Sequence, residues 1–199
     1  MDGYRSAMPT HAERKEVTRA SLVDAARQLF AERGFAATST EEILAAAGLS
    51  RGALYHHFRN KEHLFEAVYE AVEADLTNRV VMKSFAGRDA LHKLRLGVDA
   101  FLDHCLDPDV QRIVLLDGPT VLSWETWREI DERYAFGLIK GVLDEAVREG
   151  LITRQPTDPL AHVLLGAMIQ AAMAVARADD PAVAKRQMSR TFKRMLTSL

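Results

Sequence analysis

Between Ser50 and Lys61 the chain brings together Arg51, Tyr55, His56, His57 and Lys61, with three formal cations and no acid. These residue types suit the surface of a DNA duplex. The guanidinium fork of Arg51 matches O6 and N7 of guanine, and the His56 imidazole can reach a base edge. Gly52 and Ala53 between them are small, which allows close approach and offers the Ala53 methyl to a thymine methyl. Leu54 and Phe58, four apart, supply an apolar side for burial. Upstream, Thr38, Ser39 and Thr40 bring hydroxyls and free amides to a helix start, where a phosphate oxygen can be held. Taken singly each group also has a structural use: Tyr55 as a half-buried aromatic, His57 at a helix C-terminus, Lys61 on a solvated face.

Elements with defined ends must position these groups. From Thr18 to Arg33 the apolar residues Leu22, Ala25, Ala26, Leu29 and Phe30 follow the spacing of one helical face. Gly34 supplies a C-terminal stop, with Phe35 as its apolar contact. Ser39 and Glu42 form a capping-box pattern ahead of Ile43 and Ala47, Gly48 ends that short helix, and Ser50 caps the next. Two short helices joined by a glycine-containing turn make a helix-turn-helix, whose second helix enters the major groove. Arg14, Lys15 and Arg19 lie ahead of the first periodic residue and read as solvated charges on a frayed end or a basic approach to DNA.

The run Ala25 to Phe30, then Gly34-Phe35, Thr38-Ser39, Ile43, Ala47 to Ser50, Gly52, Leu54-Tyr55, His57-Phe58 and Lys61 to Leu64 resembles the amino-terminal signature of TetR-type transcriptional regulators. Leu44 departs from it, because most such proteins have a small residue there. The resemblance implies that Tyr55, His57 and Lys61 grip the DNA backbone. It also implies a homodimer whose two heads meet a pseudo-palindromic operator, and a small-molecule pocket in the middle helices.

At 199 residues, 48% hydrophobic and 27% charged, the chain has the composition of a soluble globular protein. A net charge of −2, with nine Lys/Arg against eight Asp/Glu over residues 1–65, excludes indiscriminate coating of nucleic acid and favours a local basic face. Cys105, the one cysteine, cannot form an internal disulfide and suits a reducing cytoplasm. Met1 to Glu16 contains no apolar leader. Pro159 to Ala176 lacks Asp, Glu, Lys and Arg, but His162 and Gln170 interrupt it, and it reads as a helix buried between helices rather than a membrane span.

Beyond Asn60 helical patterns continue to the end, giving an all-α chain of about nine helices: a DNA-binding head over residues 1–65 and an effector-binding and dimerisation bundle over 66–199. Asp107-Pro108, Asp158-Pro159 and Asp180-Pro181 each offer an aspartate cap followed by proline at the first helical position. A short helix ends at Asp117-Gly118-Pro119, and a long one runs from Trp124 to Glu149. Small residues Ala167, Ala171, Ala174 and Ala178, and the stripe Ala184, Met188, Phe192, Met195 and Leu199, predict a dimer interface on the last two helices. Phe85, Phe101, Trp124, Trp127 and Tyr134, with His92, His104 and Gln170 as polar handles, are candidates for lining the pocket that the resemblance implies, and suit a hydrophobic or aromatic ligand.

The expected function is therefore a sequence-specific DNA-binding regulator, a repressor released from its operator by such a ligand. An effector-independent or architectural DNA-binding protein uses the same residues. An enzyme finds no support: His-Glu-x-x-His, a phosphate loop and Gly-x-Ser-x-Gly are missing, and His104 and Cys105 point apart around a helix. Asp99, Asp103 and Asp107 share a helix face and read as a solvated acidic stripe rather than a metal site, and no cofactor is expected.

Overall fold

The computed structural model describes residues 10–198. Leu199 and the first nine residues of the expected leaderless segment lie outside them. Nine helices and no strand occur among the described residues: α1 (His11–Arg33), α2 (Thr40–Ala47), α3 (Arg51–His57), α4 (Lys61–Ser84), α5 (Ala90–His104), α6, α7, α8 (Thr157–Ala176) and α9 (Pro181–Thr197). Helix α6 is a π-helical stretch, Val110–Asp117, running directly into Gly118–Val121. Helix α7 joins Trp124–Asp131 and Gly137–Arg148 through a π-helical Glu132–Phe136.

Helix α1 begins seven residues before the expected Thr18. Thr10 caps it, its hydroxyl accepting from the Glu13 amide while Glu13 reaches back to the Thr10 amide. Apolar periodicity could not reveal this turn, because Val17 there is exposed. Gly34 ends α1 at φ 82°, and an added Cβ would collide with the Arg112 guanidinium. The capping box expected for α2 and the Ser50 cap expected for α3 are present, with Gly48 left-handed and Ser50 accepting from the Ala53 amide at 3.4 Å.

Three later boundaries differ from expectation. The helix expected to stop at Asp117 continues to Val121; Gly118 lets α6 pass against the Tyr69 ring, where a Cβ would sit 2.5 Å away. Asp107 turns its carboxylate to Arg79 at 2.7 Å and His104 at 2.9 Å instead of capping. Helix α8 already begins at Thr157, so Asp158 and Pro159 sit inside its first turn, whereas Asp180-Pro181 starts α9 as expected.

One apolar core runs from Leu22, Phe30, Ile43 and Leu54 of the head through Phe65 and Val72 of α4 to Ile113 of α6, without a break at residue 65. Leu44 is buried in it. A second core joins α5, α7, α8 and α9 around Leu102, Leu143, Met168 and Phe192. Helix α8 is long and apolar enough to cross a membrane, with mean hydropathy 1.7, yet it contributes Ala161, Leu164, Leu165, Met168 and Ala171 to this core.

The acidic stripe along and just beyond α5 remains part-exposed, but each acid is ion-paired. Asp99 accepts from Ser189 and pairs with Lys193 at 2.9 Å, Asp103 pairs with Lys185, and Asp107 with Arg79. The contacts of Asp99 and Asp103 fix the inner face of α9 against α5. The expected interface is corrected accordingly: Phe192 is 4% exposed and Ala171 6%, so both belong to the subunit's own core. Met195, Ala174 and Val163 are exposed, and Ala167 and Met188 are half-buried. The outward ridge is therefore Val163, Ala167, Gln170 and Ala174 on α8 with Met188, Thr191 and Met195 on α9.

Candidate DNA-binding face and effector cavity

Helix α3 is held by two inward side chains, Leu54 at 0% and Phe58 at 2% exposure, which packs the helix edge-on and turns the opposite face out. Arg51, Gly52, Tyr55 and His56 are exposed there, with Ala53 and His57 partly so. Arg51 lies over the Tyr55 ring, 5.7 Å from its centroid, and the His56 and His57 rings meet edge to face at 5.2 Å. No residue crowds Gly52 apart from Ser50 Oγ at 3.9 Å, so nothing obstructs a close surface.

The N-terminal cations are not on a frayed end. Arg19 sits 5.5 Å from the centroid of the Phe58 ring. Desolvation, then His56, Lys15 and Arg19, depress the His57 pKa, which places α1 cations beside the C-terminus of α3. The basic face therefore extends from α3 onto α1.

Two expected contacts have other tasks. The Thr38 side chain is buried, its hydroxyl donating to the Gly34 carbonyl at 2.8 Å, which removes it from the outward surface. Lys61 donates from Nζ to the carbonyls of Phe35 and Thr38, both at 2.9 Å, and rests over the Phe35 ring. It ties the α1–α2 loop to the start of α4. Ser39 is exposed, with its hydroxyl shared with Glu42, and the Thr40 hydroxyl donates to Glu41 at 3.1 Å.

The head is also clamped to α6. The Asp117 carboxylate accepts from the Phe35 amide at 2.7 Å and from Arg112 at 3.3 Å, while Arg27 bridges Asp75 on α4 and Asp109. Helix α4 runs from this clamp into the bundle. There it borders a small cavity of about 60 Å³ walled by Leu76, Val80, Val98, Phe101, Ile139 and Met168. A neighbouring lobe of about 40 Å³ lies toward α6, lined by Tyr69, Val114, Trp127 and Asp131. Glu73, Phe101, Ala135 and Leu165 line both.

Of the aromatics and polar handles expected there, Phe101 and Trp127 do line the space. The others do not. Phe85 is 77% exposed at the end of α4, and Trp124 is 67% exposed, stacked on the outer side of Trp127 at 5.3 Å. Tyr134 donates to Glu70, His104 is paired with Asp107, His92 sits in the first turn of α5 near the Arg88 amide, and Gln170 faces outward. Each follows its helix phase, which carries it past the cavity wall.

What residue-type reasoning missed is acidic. Glu73 is buried, and burial first, then the nearby Asp131, push its pKa up to about 7. Asp131 itself is pushed up to about 6, mainly by desolvation and then by Glu132. The signal was present in the sequence: Glu73 falls four residues after Tyr69 and seven before Val80, in phase with the apolar face of α4.

Two family models match: the bacterial regulatory proteins of the tetR family over residues 22–68, and the tetracyclin repressor-like C-terminal domain over residues 91–199. The crystal structure of a TetR-family transcriptional regulator from Pectobacterium atrosepticum is 32% identical, covering 96% of this chain and 97% of that one at a TM-score of 0.83. The transposon Tn10 TetC protein of Escherichia coli is 27% identical over 183 residues, 90% of each chain. FadR from Bacillus subtilis, solved in complex with stearoyl-CoA, shares the fold at 18% identity and a TM-score of 0.74, covering 90% of this chain and 97% of that one. With matching models over head and bundle and a near full-length homologous structure, the chain belongs to the TetR family of DNA-binding transcriptional regulators, which are not enzymes.

Proposed function

We propose that the protein is a cytoplasmic repressor, dimeric through α8 and α9, that leaves a pseudo-palindromic operator when a small molecule occupies the cavity between α4, α5, α7 and α8. The observation that carries this reading is the double attachment of α4. Its first residue, Lys61, holds the loop that positions the head, and its second half, from Glu73 to Ser84, walls the cavity. A ligand that favours one tilt of α4 shifts the separation of the two recognition helices by its differential affinity for the two states. The Bacillus FadR, solved in complex with stearoyl-CoA, supports a small-molecule ligand for a chain of this fold.

In this reading Arg51 and His56 read bases, while Tyr55, His57 and the Ser39–Thr40 helix start meet phosphates. Arg51→Ala should cost about 1 to 3 kcal/mol on a selected operator and relax choice at one position per half-site. Lys61→Ala should weaken all sequences alike. Equal losses for Arg51→Ala on operator and random DNA would remove Arg51 from base reading.

Operator selection from random DNA, followed by a ligand screen for release, tests the whole reading. A releasing compound should perturb Trp127 fluorescence, and operator should weaken the compound by the same factor. Tight ligand binding at unchanged operator affinity would favour an effector-independent regulator.

A further inference from the structure

The cavity has an uneven chemistry. Its walls are mostly aliphatic and aromatic, with Thr77, Ser84 and Lys93 at the wider lobe, Asp131 at the other, and Glu73 where the two meet. There the only hydrogen bond to the Glu73 carboxyl among the described residues is a long one, from Tyr69 Oη at 3.4 Å. Asp131 on α7 faces the same lobe, and neither acid has a cationic partner among the described residues. The cations close by are committed elsewhere: Lys93, which lines the wider lobe, is paired with Glu145 at 2.7 Å, and Arg133 is paired with Glu70. The other groups bearing on Glu73 and Asp131 are Tyr69 on α4, Cys105 at the end of α5, Glu132 on α7 and His162 on α8. Helix α6 contributes only apolar side chains to this lobe, and so does α8.

A buried Glu73 beside a part-buried Asp131, neither of them ion-paired among the described residues, is costly in an apolar chamber, and the cost is relieved by protonation or by a cation. We propose that the effector is an amphipathic organic cation, its protonated nitrogen seated between Glu73 and Asp131 and its apolar body lying against Phe101, Leu76, Val98 and Met168. This assignment rests on the effector reading above and specifies the chemistry of the same cavity. Phe101 and Trp127 line the same lobe as the acids, and aromatic rings there favour a cation. A neutral alcohol or phenol can donate to Glu73 but leaves Asp131 uncompensated. An anionic ligand would add a third negative group to the pair, which sets this chamber apart from one that takes an acyl-CoA.

Burial raises the pKa of both acids, so the free protein holds protons that a bound cation displaces. Amine binding should therefore release protons at neutral pH and strengthen as pH rises from about 6 to about 8, the window in which Glu73 of the free protein ionises.

The test uses the full-length protein without DNA and three probes with one skeleton: 4-phenylbutylamine, 4-phenylbutan-1-ol and 4-phenylbutyrate. Binding is followed by tryptophan fluorescence and by calorimetry in two buffers of different ionisation enthalpy. The amine should bind at least about tenfold more tightly than the alcohol, and the acid least. Glu73→Gln should erase the amine's advantage and its proton release while changing alcohol binding by less than about threefold. Should that variant fail to fold by circular dichroism, Asp131→Asn carries the same comparison. An alcohol or acid that matches the amine, an amine preference that survives in the folded variants, or no binding of any probe overturns the assignment. Adding the selected operator separates the two readings. An amine that binds without releasing DNA defeats the effector reading and leaves the cation site standing; release by the acid or alcohol alone does the reverse.

Discussion

Phe192→Glu is expected to unfold the subunit, whereas Met195→Glu, three residues along the same helix, should leave it folded and split the dimer. Phe192 is 4% exposed and packs with Leu102, Leu143 and Leu196. Replacing it removes the buried ring, worth about 3 to 5 kcal/mol in comparable cores, and places an unpaired carboxylate among aliphatic groups. That total rivals the whole stability of an ordinary domain, about 5 to 15 kcal/mol. Met195 is 42% exposed beside Val163 and Leu160, in an apolar groove between α8 and α9. A carboxylate there costs the isolated subunit little, since water still reaches it, but in the proposed dimer it is desolvated on both sides of a two-fold axis. Circular dichroism and sedimentation velocity on the two variants separate the cases. A helical, folded Phe192→Glu would show that α9 packs the other way round, and a dimeric Met195→Glu would move the interface off this ridge.

The second large effect is on stability against pH. The Glu73 pKa is raised from 4.5 to about 7 in the folded protein, so between those values the native state keeps a proton that the unfolded chain has released. Its contribution to stability is full below pH 4.5 and is lost as pH rises through about 7, amounting to about 3 kcal/mol across the window. Asp131 works in the same direction at lower pH. Glu73→Gln keeps the shape and removes the titration, so the variant should gain on the wild type steadily from about pH 5 to about pH 8. The difference between their urea midpoints measures it, because other groups cancel. A constant difference would mean that Glu73 is already ionised at pH 5 and compensated.

Local signals carried much of the fold. The capping pairs at Ser39 and Asp180, the stop at Gly34 and the left-handed Gly48 each act within one helical turn, so they could be read without knowing any neighbour. The exposed face of α3 was legible for the same reason: with Leu54 and Phe58 inward, helical phase alone sends Arg51 and Tyr55 outward. The Thr10–Glu13 box is equally local, but the turn it opens carries no apolar face to mark it as helix.

Contacts between distant segments decided the remainder. Phe192 and Met195 are both apolar and lie on adjacent arcs of α9; the pairs from Asp99 to Lys193 and from Asp103 to Lys185 choose which arc faces α5. Thr38 and Lys61 look like phosphate ligands in the sequence, yet the loop between α1 and α2 folds its carbonyls toward them and engages both. The cavity depended most on tertiary structure. Aromatic residues announce burial in general, but whether a ring lines a space, fills it or stacks outside it, as Trp124 does, depends on how α4, α5, α7 and α8 cross. The sequence by itself determined where α2, α3 and α9 begin, where α1 ends and which side chains of α3 point outward, because those are matters of hydrogen bonding and phase within a few residues. Only the tertiary structure decided that two acids meet without a counter-charge beside an apolar chamber, because Glu73 and Asp131 lie on different helices, brought to one lobe by packing.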